Sequence, residues 1–430
     1  QDHLRALTEV GPNALQAIEH QPDRPTYHVL RRKDLLDLFD TTPDLSGNDM
    51  DVSRFIREST DTDVQVYWRD WDLKQEKGGA PPDPQRGPAS TQTFPRPVRE
   101  ELCSAPVSGF REFVEKRNTS DSSLVWSWNP LEAKWVPANK NQIQPGMVFL
   151  AHLSAGGYDP LLGWTADPKH IPTEVANQLL SELDMMDADL LGERPLALAD
   201  HLRDVANAAT ALQQSFGDSN QRSEIPWNSM IRAAWWHDVG KSHAAFQSAM
   251  RDSPHVQAID PAAKQLWAKS GMRGMPRYRV QRDGGGEVRR PGFRHELASM
   301  LAWLTRSQAD PREDLVAYLI AAHHGKLRLS LRSMPNEEQP KSPTTRFARG
   351  VWDGDELPSI ELGNGDVFDG AILSLDLMEL GDHGDEPSWL TRTLGLVEEF
   401  GPFRLAYLEM LLRVADWRGS AADHESRMTP

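Results

Sequence analysis

Apolar residues recur every three to four positions through the back half of this chain and at alternate positions near its front. The two halves therefore predict different architectures. Beyond Pro172 the helical period holds over residues 174–184, 196–216, 227–250, 295–308, 312–323 and 403–417, which predicts a mainly α-helical domain over 173–430. Two interruptions, 271–294 and 325–370, carry too much Gly and Pro for helix and read as loops. Near the front, Val64-Gln65-Val66-Tyr67-Trp68 has the alternation of a strand, and 98–166 reads as short strands and turns, with Trp126, Trp128 and Trp135 close together. These predict a small β-rich module over 61–172, with a Pro/Gly linker near 78–97. The tryptophans fit its core better than a stacking platform for bases. Residues 1–60 hold a short helical pattern (4–18) and a turn (40–47), too little for a domain.

Composition narrows the function classes. At 430 residues the chain exceeds one ordinary domain. A formal charge of -16 argues against a general nucleic-acid coat, yet leaves room for a local basic patch. One cysteine, Cys103, cannot close an internal disulfide, and no export signal opens the sequence, so a cytoplasmic setting is expected. No apolar run reaches the length of a membrane span. The chain starts at Gln1 and its first methionine is Met50, so a piece of a longer polypeptide is expected.

Seven metal-capable side chains follow one another in the helical half: His201, His237-Asp238, His295, His323-His324 and Asp416. Imidazole and carboxylate together suit Fe, Mn, Co, Ni or Zn, and a carboxylate beside a histidine can bridge two ions. Alone, His201 is as readily a surface or capping residue. The run Trp235-Trp236-His237-Asp238-Val239-Gly240-Lys241 says more, because an apolar helix ends on two polar ligands and a glycine that allows a tight turn. His323-His324-Gly325 repeats that design. Asp416 stands among core-type residues, where a carboxylate needs a partner to offset its desolvation. Gly240-Lys241-Ser242 imitates the end of a P-loop, but Trp235 stands where its first glycine belongs.

The order H, HD, H, HH, D resembles the HD superfamily of metal-dependent phosphohydrolases. His295 and the His323-His324 doublet narrow the likeness to two-metal members, above all the HD nuclease of the helicase-nuclease of type I CRISPR systems, over roughly residues 196–420. The stretch from Arg31 to Leu45 is similar to the tail of the helicase portion in the I-G (I-U) branch, in which the nuclease follows the helicase. The chain lacks every ATP-binding motif of the full family. The resemblance implies two divalent transition-metal ions (Fe, Mn, Ni or Co, with Mg or Zn as further choices). It implies that His201, His237, Asp238 and Asp416 hold one ion, and that Asp238, His295, His323 and His324 hold the other. Asp238 and Lys241 are then catalytic, Lys241 by offsetting charge on the phosphate. The implied activity is cutting of single-stranded DNA, by an endo- or exonucleolytic route, with a fused helicase and an RNA-guided surveillance complex as partners.

Basic residues border the ligands. Arg277, Arg279, Arg282, Arg289, Arg290 and Arg294 precede His295, and Lys326 and Arg328 follow the doublet. Side chains of this kind on loops neutralise backbone phosphates without reading sequence, as expected for a single-strand channel. Two other readings remain: an HD phosphohydrolase acting on nucleotides or cyclic nucleotides, and a regulatory interaction module with a structural metal site.

Overall fold

The computed structural model describes residues 30–41, 62–74, 79–81, 97, 101–119, 122–129, 134–173, 194–216, 225–271, 276–281, 285–306, 312–325, 327–333, 337–363, 365–379, 381–382 and 386–426. The helices expected over 4–18 and 174–184, and most of the 78–97 linker, lie outside them. In chain order, α1 (Arg32–Phe39) precedes β1 (Asp63–Arg69), β2 (Cys103–Pro106), α2 (Val107–Arg117), β3 (Val125–Asn129), β4 (Lys134–Pro137) and β5 (Val148–His152). The five strands form one sheet in the order β2-β1-β5-β3-β4, with β1 and β5 parallel and the other neighbours antiparallel. Alternation along β1 sends Val64, Val66 and Trp68 to one face, where Phe110, Phe113 and Val114 of α2 cover them. Tyr67 goes to the other face, with Trp71, Trp126 and Leu150. Trp126 is thus a core residue, while Trp128 and Trp135 meet edge to face at 5.2 Å. A hairpin of β6 (Tyr158–Asp159) and β7 (Gly163–Trp164) follows the sheet.

The helical part opens with β8 (Pro195–Ala197) and α3 (Leu198–Ser215), then α4 (Trp227–Trp236), a 3-10 turn (Val239–Ser242), α5 (Ala244–Arg251), α6 (Pro254–Ile259) and β9 (Trp267–Ser270), which pairs with β8. After the hairpin β10 (Arg279–Gln281) and β11 (Glu287–Arg289) come α7 (His295–Leu304) and α8 (Glu313–Ala322). Every residue from His295 to Trp303 and from Leu315 to Ala322 is buried. A helix apolar on all sides has no solvent face, so α7 and α8 form the centre of the core. Around them pack α3, α4, α9 (Trp389–Phe400) and α10 (Pro402–Ser426).

Two expectations change, and one contact lies beyond what the pattern predicts. The run over 227–250 is not one helix: it breaks at His237 and resumes at Ala244, because two polar ligands and a glycine cannot continue an apolar helix. The stretches 271–294 and 325–370 are not plain loops. The first holds β10–β11, and the second holds the pair β12 (Phe347–Ala348) with β13 (Val351–Trp352) and the strands β14 (Glu356–Leu357), β15 (Ile360–Glu361), β16 (Val367–Phe368) and β17 (Ala371–Ile372). Such short hairpins carry too few residues to show a period. Finally α1 packs on the helical core: Phe39 stacks on Tyr318 at 6.2 Å, and Arg328 donates to the Phe39 carbonyl at 3.0 Å. Thr41 donates to the Gly325 carbonyl at 2.5 Å, directly behind the histidine doublet.

Candidate metal centre

Three helices and two helix ends converge on one buried point. His201 lies on the apolar face of α3 with Leu198, Leu202 and Val205, so the helical period that buries those leucines buries it too. His237 and Asp238 follow the last turn of α4, His295 opens α7, and His323 and His324 follow α8. Asp416 stands on the buried side of α10 between Leu412 and Gly419. Six of the seven are at most 3% exposed, and His324 is half-buried.

The two helix ends share a device. His237 Nδ1 meets the Ala234 carbonyl at 2.8 Å, and His323 Nδ1 meets the Ile320 carbonyl at 2.7 Å. Each carbonyl lies three residues back, among those left unpaired at a helix end. As an acceptor it selects the tautomer in which Nδ1–H donates to it, which leaves Nε2 as a lone-pair donor aimed inward. The glycines behind these turns differ. Gly325 has φ of 70°, as a tight turn requires. Gly240 is instead a close-approach glycine, since a Cβ there would stand 2.2 Å from the His295 carbonyl oxygen. Its amide donates to Ser299 Oγ at 2.7 Å, which fixes the turn against α7.

Asp238 is the hub. Its Oδ2 lies 2.9 Å from His201 Nε2, 3.3 Å from His237 Nε2 and 2.7 Å from Lys241 Nζ. Its Oδ1 lies 3.0 Å from His295 Nε2 and 3.8 Å from His323 Nε2. Asp416 Oδ1 completes the Oδ2 side, 3.4 Å from His201 and 3.8 Å from His237. His324 Nε2 completes the Oδ1 side, 3.2 Å from His295 Nε2. The ligands thus fall into two groups, His201, His237 and Asp416, and His295, His323 and His324, with ligand atoms of each group within 4.8 Å of one another.

Electrostatics fit cation binding. Burial alone would raise the Asp238 carboxyl, but His237, Lys241 and His295 outweigh it and hold the group well below the usual carboxylate range. Burial pushes His323 well below the usual imidazole value, helped by His324 and His237, and lowers His201 against the pull of Asp238. Burial opposes a charge on His237 as well, yet Asp238 and Asp416 raise it. The Nε2 atoms of His237 and His323 are buried and make no hydrogen bond among the described residues. Buried nitrogens of this kind are costly unless a cation takes their lone pairs. The donor set of imidazoles and carboxylates therefore fits divalent ions.

The basic residues take varied positions. Arg290 is buried, paired with Asp355 at 2.9 Å and stacked on Trp352 at 3.4 Å. Arg279 binds Asp252 at 2.6 Å, and Arg328 binds Glu409 at 2.7 Å. These three pair with carboxylates that tie down hairpins and α1, and each partner offsets part of the charge that a strand would meet. Arg294 is partly buried, with Nη1 3.7 Å from Glu296. Arg277 and Arg289 are exposed, and Arg282 and Lys326 lie outside the described residues. Lys241, expected as a phosphate ligand, is buried on Asp238. Sequence reasoning missed Ser299 and Glu296, both on α7. Their signal was faint, a glutamate directly after His295 and a serine one turn further along.

No curated protein and no solved structure matches the chain. The family model described as Cas3, HD domain, matches residues 187–424, more than half of the sequence and a stretch that holds all seven candidate ligands. A helical core that gathers His201, His237, Asp238, His295, His323, His324 and Asp416 within that stretch accords with the match, and the chain belongs to the Cas3 HD-domain family of CRISPR-associated, metal-dependent nucleases.

Proposed function

We propose that this protein cuts single-stranded DNA during CRISPR interference in the cytoplasm. It works there with an ATP-dependent helicase portion of the same polypeptide, of the I-G type, and with an RNA-guided surveillance complex. One observation carries the reading: the two oxygens of Asp238 face two separate ligand groups. A carboxylate so placed suits a pair of ions, the first held by His201, His237, Asp238 and Asp416, the second by Asp238, His295, His323 and His324. Bound ions of this kind supply Lewis acidity, which draws in a phosphate and makes water a stronger nucleophile. The chain's own groups do the rest. The carbonyls of Ala234 and Ile320 hold His237 and His323 in the ligating tautomer. Lys241, 2.7 Å from Asp238, is placed to offset charge growing on a phosphate at the same point. The half-buried His324 marks the side from which a strand arrives. Exposed Arg277 and Arg289 support a backbone path toward His295.

The test is metal analysis of the purified chain, then incubation with circular single-stranded DNA, duplex DNA, RNA and nucleotides in Mn, Ni, Co, Fe or Mg. Preferential cutting of the circle is expected. Asp238→Ala should lose metal and cleavage together, whereas Lys241→Ala should keep metal and cut more slowly. Preferential hydrolysis of nucleotides would favour a small-molecule phosphohydrolase instead, and a fully active, metal-free Asp238→Ala would overturn the scheme.

A further inference from the structure

Two of the buried imidazoles are oriented by backbone carbonyls of their own helices, but His295 cannot be. It is the first residue of α7, so no helical carbonyl lies three residues behind it. What lies beside its Nδ1 is Glu296 Oε2, at 3.6 Å. Glu296 is 0% exposed, and neither of its oxygens makes a hydrogen bond among the described residues. A carboxylate in that position is costly to bury, and the helix period does not explain it, because α7 is otherwise filled by Leu297, Ala298, Met300, Leu301 and Ala302. Its surroundings supply countercharge. Arg294 Nη1 lies 3.7 Å from Oε1. The Arg294 amide donates at 2.9 Å to the carbonyl of Arg349, a residue held at φ of 53°. That left-handed conformation strains a side-chain-bearing residue, and the tie to Arg294 keeps it beside the start of α7.

We propose that Glu296 is the positioning residue of His295. From 3.6 Å its carboxylate needs only a small approach to accept the Nδ1–H, which would fix the ring so that Nε2 faces Asp238 Oδ1 and strengthen the imidazole as a ligand for the second ion. It thereby does for His295 what the Ala234 and Ile320 carbonyls do for His237 and His323. A carboxylate has more basicity than a carbonyl, so the second ion's site is tuned apart from the first, where the Ala234 carbonyl orients His237. The inference rests on His295 being a ligand, as proposed above.

The test titrates cobalt(II) into the chelated protein and follows the visible absorption of the bound ions, with stoichiometry from calorimetry. Variants are Glu296→Ala, Glu296→Gln and His295→Ala, and thermal melting of the metal-free forms checks folding. For Glu296→Ala the second equivalent should bind roughly 10- to 100-fold more weakly, with the first unchanged. Glu296→Gln keeps an oxygen facing Nδ1 and should lose less than about tenfold, which also covers the case in which the alanine variant fails to fold. An alanine variant with both affinities unchanged, or with both equally weakened, would overturn the positioning role. If His295→Ala itself binds both equivalents normally, the metal reading of His295 fails instead.

Discussion

Burial lowers His201 and, more strongly, His323 below the value near 6.5 that the same residues have in an unfolded chain. Folded pKa values below the unfolded one mean that, as pH falls through about 6.5, the unfolded state takes up protons that the fold refuses, so stability drops. His237 works the other way, its raised value adding stability below 6.5 that is lost as pH rises. His323 is displaced furthest, so its direction sets the sign. The melting temperature of the chelated protein should therefore be lower at pH 5.5 than at 7.5; equal values would contradict the assignment. At Gly240 the physics is steric. Gly240→Ala places a methyl 2.2 Å from the His295 carbonyl oxygen, against backbone that cannot yield. A loss of about 3 kcal/mol, read from urea unfolding, is expected.

Among the elements, the short hairpins show how a basic residue near a site can be structural. Arg290, Asp355 and Trp352 join β11 to the β12–β15 region through a buried ion pair and a stacked guanidinium. Removing one partner strands the other's charge, so Arg290→Ala should cost about 3–5 kcal/mol in chemical unfolding. It should leave the salt dependence of single-strand binding unchanged. Replacing Arg277 and Arg289 by alanine should do the reverse, flattening that dependence with little change in stability. The sequence placed these arginines in two basic surpluses, one before His295 and one, with Arg328, after the histidine doublet. Which of them stay exposed was not legible there, because their carboxylate partners Asp252, Asp355 and Glu409 lie 27, 65 and 81 residues away.

For the whole molecule, the buried residues form separate clusters: one in the helical part, joined by Phe39 of α1, and two on the faces of the β1–β5 sheet. Cores that share no side chains unfold as separate cooperative units. Scanning calorimetry should resolve two transitions, and Mn or Ni should raise only the one belonging to the helices, since all seven ligands lie there. A single transition shifted as a whole by metal would show the units to be coupled. Phe39 stacks on Tyr318 and Thr41 bonds the Gly325 turn, so α1 shares the fate of the metal-bearing unit.

The seven candidate ligands, which the fold brings together, and the helices that carry them were legible because both depend on local pattern: a 3.6-residue period, an apolar helix broken by polar pairs, and residue types with an affinity for cations. The strand Asp63–Arg69 was legible for the same reason. Its parallel pairing with β5 across the sheet was not, since a parallel neighbour leaves no mark within either strand. Nor were the nested hairpins, the docking of α1, or the burial of Lys241 and Glu296. The sequence by itself determined which side chains could hold metal and in what order they occur. Tertiary structure decided that one oxygen of Asp238 faces each ligand group, which glycine must lack a Cβ, and which arginines are spent on carboxylates. These depend on contacts between residues far apart in the chain, where no periodicity reaches.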